Sequence, residues 1–203
     1  MTVFGVPLEE SVKIASTVLQ VAAIVVTAYF ASRSLDAWRR QLVGKRRLEV
    51  AEEMLVAAYK AQSSLLHVRN PMTFGEGQVR PRDKDERPGQ AGLKDMYFAP
   101  LARMQKLDDD FAQWSKVRFL ADAHFGPDAA APFDVIHRAY HTVAIAARML
   151  VEMVGEIAPN DPSKKRWEAE IWNTQQPDDP ITANVAAAVR QIEVVCRPHL
   201  RER

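Results

Sequence analysis

Residues 132–157 read PFDVIHRAYHTVAIAARMLVEMVGEI, and Phe133, Ile136, Tyr140, Val143, Ala147, Leu150, Val154 and Ile157 recur there in steps of three and four without a miss. That rhythm marks one face of an α-helix. An apolar face this long needs other elements to cover it. The composition says those elements are helices: 29 alanines stand against eight glycines in 203 residues.

Outward from this seam the same rhythm repeats. Leu48, Ala51, Leu55, Ala58, Gln62 and Leu65 predict a helix over 48–69, which Asn70-Pro71 ends because a residue before proline avoids the helical region. Met104, Leu107, Phe111, Trp114 and Ala121 predict one helix from about Asp95 to His124, stopped by Gly126-Pro127. Asp161 caps a short helix opened by Pro162 and carrying Trp167 and Trp172. Asp179 caps a last helix, opened by Pro180, whose seam is Ile181, Val185, Ala188, Ile192 and Val195 and which Pro198 closes. Four amphipathic helices joined by proline breaks predict an all-α four-helix bundle over residues 48–203, with one short extra helix. Residues 70–93 hold three prolines, four of the eight glycines and most of a run of alternating charges, and read as a mobile insertion.

Towards the N-terminus the pattern changes. Residues 14–32, IASTVLQVAAIVVTAYFAS, carry no charge over nineteen positions. As a helix they extend about 28 Å, close to the roughly 30 Å of a bilayer's hydrocarbon core. Tyr29, Phe30 and Trp38 suit its interface. The reading is a single transmembrane helix at 14–32 behind a short tail at 1–13. A basic juxtamembrane segment follows at 33–47, where Arg33, Arg39, Arg40, Lys45, Arg46 and Arg47 face only Asp36. Basic residues stay on the cytoplasmic side and attract anionic headgroups, which places the N-terminus outside and the bundle in the cytoplasm of an inner-membrane protein. Ser16, Gln20, Ala23, Thr27 and Ala31 share one helical face of small or weakly polar residues, the kind that lets helices approach in lipid.

Charge and motifs bound the function. Twenty-seven basic against 26 acidic residues exclude the global electrostatic signature of a DNA-binding protein. A single cysteine, Cys196, excludes a disulfide framework, and its apolar neighbours make it a core thiol. The sequence has no phosphate-binding glycine loop, no His-Glu-x-x-His and no nucleophile elbow. Asp134, His137 and His141 lie on one side of the third helix and form a candidate metal set, though beside the seam and without a Glu-x-x-His. Asp108, Asp109 and Asp110 point about 100° apart and read as a solvated face.

Arg118 and His124 form an Arg-x5-His pair. With the helical content and the apolar run, this pair resembles the HEPN superfamily, helical bundles whose ribonucleases use an Arg-x4–6-His motif. The resemblance implies that Arg118 and His124 would meet at a dimer interface and act on RNA. Phe119 stands where such proteins often carry a polar residue. The reading adopted is a membrane-anchored interaction or assembly protein without chemistry or cofactor. Its expected partners are the lipid bilayer, a second copy of itself and a further protein. A HEPN-like effector using RNA and a ligand-sensing bundle are the alternatives.

Overall fold

A computed structural model describes residues 2–3, 6–82, 84, 86–173 and 179–200, with the backbone alone at 2, 3, 6–12, 14, 15, 18, 37 and 88. The chain divides into two units, Met1–Arg47 and Leu48–Arg203. Apart from a two-residue antiparallel pairing of Thr2–Val3 with Val6–Pro7, the described residues are all-α. The helices are α1 (Leu8–Val68), α2 (Pro88–Gln105), α3 (Asp108–Phe125), α4 (Pro127–Glu152), α5 (Pro162–Ile171) and α6 (Pro180–Leu200).

The expected seam is the centre of the second unit. Phe133, Ile136, Tyr140, Val143, Ala147 and Leu150 are all buried, and α2, α3, α5 and α6 each pack on α4. Val154 and Ile157 lie beyond its last residue, Glu152, and the chain turns at Gly155 with φ of +90°, a region that favours glycine. The start of α4 is five residues earlier than the seam suggests, because Pro127 fits the first helical position and Gly126, at φ +89°, makes the corner with α3. Tyr140 donates from its buried hydroxyl to the Ala61 carbonyl oxygen of α1 at 2.7 Å, and its ring lies 5.1 Å from those of Phe111 and Trp114. Tyr140→Phe should therefore lower stability by about 1 kcal/mol. Thermal melting would show this as a drop of a few degrees.

Two expected elements differ. The helix expected over 95–124 is two helices, broken at Lys106 and Leu107, whose amides turn back to the Arg103 and Met104 carbonyls. Asp108, Asp109 and Asp110 then form the first turn of α3, where the positive end of the helix dipole favours acidic side chains. Asp110 also accepts an ion pair from Lys60 at 2.5 Å. Upstream, α2 begins at Pro88, inside the segment read as an insertion. That segment also holds a 3₁₀ turn at Glu76–Val79, packed so closely on α2 that a Cβ at Gly77 would meet the Asp95 carbonyl. Two of its arginines are held in ion pairs, Arg80 with Glu86 and Asp95 and Arg82 with the same two carboxylates.

The transmembrane helix is the main correction. Among the described residues no helix is long and apolar enough to cross a membrane. Ser16, Thr17, Gln20, Thr27 and Ser32 dilute the uncharged run, and α1 passes on into the strongly basic 33–47. The side chains of Ile14, Ala15 and Val18, part of that run, lie outside the described residues.

Candidate functional site

Among the described residues of the second unit three arginines are buried, Arg69, Arg80 and Arg103. Arg69, next after α1, donates from Nε to the Glu170 carbonyl at 2.9 Å and from Nη2 to those of Ala169 and Trp172 at 3.0 and 3.1 Å. It thus closes the open carbonyls at the end of α5, where the helix dipole is negative. Its other contacts reach Asp179, at 2.5 Å from Nη1 and 3.2 Å from Nη2. Asp179 in turn starts α6 by accepting from the Ile181 amide and the Thr182 hydroxyl. Burial opposes the Asp179 charge, but Arg69, Thr182 and the Ile181 amide outweigh it and hold the carboxyl below its ordinary range. Arg103 serves the end of α1 in the same way, donating to the carbonyls of His67, Val68, Asn70 and Met72 and to Glu76. Among the described residues no buried side-chain nitrogen or oxygen lacks a hydrogen-bond partner. These arginines are therefore structural.

A cleft of about 270 Å³ opens between α1, α3 and α4, lined by Ala61, Phe111, Trp114, Ser115, Phe119, Phe133 and Ile136. Arg118, Asp134 and His137 complete its lining. Two separate sequence candidates meet here. Arg118, proposed as a catalytic partner of His124, gives Nε to Asp134 Oδ1 at 2.6 Å and Nη2 to Oδ2 at 3.0 Å. This fork is the main reason that the Asp134 carboxyl sits below its usual range despite partial burial. His124 is half-buried in the last turn of α3 and does not line the cleft.

The candidate metal set is not assembled. Asp134 is engaged by Arg118, His137 and His141 are exposed, and among the described residues no group of three His, Cys, Asp or Glu is placed to hold a metal ion. Cys196 is fully buried, and burial pushes its thiol up to about 11, so it is a core thiol and not a nucleophile. The roles of Arg69, Arg80 and Arg103 carried no local signal. The helix-ending Asn70-Pro71 after Arg69 and the capping Asp179 mark only the two ends of that cluster.

In the first unit the uncharged run exposes its apolar side chains: Leu19, Ile24, Val25 and Phe30 are each more than 60% exposed. Its hydroxyls turn back on the helix, with Ser16 and Thr17 donating to the Lys13 carbonyl, Thr27 to Ala23 and Ser32 to Tyr29. On the small-residue face Ser16 and Thr27 thus have their donors occupied, while Gln20, Ala23 and Ala31 are exposed. Arg33 reaches back to the Tyr29 hydroxyl at 3.0 Å, and all six basic residues of 33–47 are exposed. Family models, curated proteins and solved structures give no match to this chain.

Proposed function

We propose that the chain is a helical interaction protein held at a membrane by its N-terminal unit, with the bundle presented to partners and with no chemistry of its own. The observation that carries the reading is the apolar surface of residues 19–30, uncharged and exposed, followed at once by six exposed basic residues. A contiguous apolar surface of this kind needs cover. Lipid supplies it, and the basic residues add about 1 kcal/mol each where they approach anionic headgroups. The hydroxyls bonded back to the helix lower the cost of leaving water. This reading requires association with the bilayer and not passage through it. Arg118 lines the cleft in an ion pair with Asp134 while His124 does not line it, which favours this reading over HEPN-like RNA cleavage, where the two would act together.

Sedimentation of the full chain with lipid vesicles tests it. The chain should pellet with phosphatidylcholine vesicles and more completely when phosphatidylserine is included, the increment being removed by salt. Ile24→Glu with Val25→Glu should move most of it to the supernatant, because charges on that face must then be desolvated. A wild-type chain that stays in the supernatant with both vesicle types would overturn the reading. A chain that forms oligomers through 16–31 but ignores vesicles would assign the same surface to a second copy.

A further inference from the structure

We propose that the cleft between α1, α3 and α4 binds a compact planar aromatic carboxylate. The volume sets the size: about 270 Å³ is enough for one or two fused rings, given that a cavity of roughly 150 Å³ accepts benzene. The walls set the class. Phe111 and Trp114 meet edge to face with centroids 4.8 Å apart, and Phe133 and Ile136 close the other side on α4. Flat aromatic faces are favoured partners for such rings.

The polar end comes from Arg118. A guanidinium has two forks, one along Nε and Nη2 and one across Nη1 and Nη2. Asp134 occupies the first. Among the described residues Asp134 is the one hydrogen-bond partner of the Arg118 side chain, through Nε and Nη2, which leaves Nη1 for the second fork, and Arg118 lines the cleft. Two carboxylates can share one guanidinium in this way, each in its own bidentate geometry. Phe119, with its ring centroid 5.6 Å from the guanidinium carbon, steadies Arg118 by a cation–π contact. Other titratable groups near the pair are His137 and Arg138 beside Asp134, and Asp122 beside Arg118. Ser115 adds no competing donor, since its hydroxyl is committed to the Phe111 carbonyl at 3.0 Å.

Calorimetric titration of the full chain with indole-3-acetate and with uncharged indole tests the assignment. Both should bind, the carboxylate about tenfold more tightly. Ser115→Trp, at an exposed position on the lip, should abolish both by filling the cleft. Arg118→Met combined with Asp134→Asn should weaken indole-3-acetate about tenfold while leaving indole within a factor of two. Melting curves confirm that each variant folds, and Ile136→Phe fills the same space from α4 if Ser115→Trp does not. The assignment falls if neither probe binds the wild-type chain at millimolar concentration. It falls equally if the filled variants bind as well as the parent, or if the double variant weakens both probes alike.

Discussion

Arg69→Met should lower the unfolding free energy by about 3–5 kcal/mol, the largest effect expected of any single substitution here. Arg69 is fully buried and donates to three carbonyls at the end of α5 (Ala169, Glu170 and the capping Trp172), to Thr182 and to both carboxylate oxygens of Asp179. Methionine keeps most of the stem's volume but leaves Asp179 charged, nearly buried and without its cation. Denaturant unfolding measures the loss. The acid limb supplies an independent check on its cause. In the parent chain the Asp179 carboxyl lies below its ordinary value, so it contributes stability above about pH 4 that is lost as pH falls through the folded value. In the variant, burial with no cation favours the protonated form. The gap between parent and variant should therefore be widest near neutrality and narrow in acid. A loss below about 1 kcal/mol, or a gap that does not change with pH, would show that Asp179 and the α5 carbonyls are satisfied by other means.

Leu150→Ala should cost about 2–5 kcal/mol, with the spread set by how far the site can collapse. Leu150 is 2% exposed in the last full turn of the α4 seam, against which four other helices pack. The loss combines hydrophobic transfer with a cavity that those helices cannot close. Val194→Ala on α6, where the side chain is 72% exposed, is the matched control and should change stability by less than about 0.5 kcal/mol. Equal melting temperatures for the two variants would mean that α4 is not the centre of the core.

Helices of the bundle were legible because each carries its own evidence. The α4 seam is a repeating local pattern, and Asp161 and Asp179 cap α5 and α6 as their positions before proline imply. The break between α2 and α3 was less legible. Apolar spacing runs straight through Lys106 and Leu107, and the competing signal was the acidic triplet that suits a first turn. Residues 70–93 were misleading for a related reason. Proline and glycine density marks irregular backbone, but it says nothing of whether the charges nearby find each other, as Arg80, Glu86 and Asp95 do. The cleft could be read only as separate fragments, a possible catalytic arginine and a possible metal ligand, although Arg118 and Asp134 are one ion pair.

The sequence by itself determined the helical class, the central seam, the buried cysteine and the apolar, basic-flanked character of the N-terminal unit, since each depends on side chains within a turn or two of one another. Tertiary structure alone decided which charged residues go inside. Arg69 meets Glu170 and Asp179 across 101 and 110 positions, and Arg103 meets Val68 across 35. A buried guanidinium is tolerated only where helix-end carbonyls and a carboxylate converge on it. That convergence is set by where helices end in space, a property no local window of residues contains.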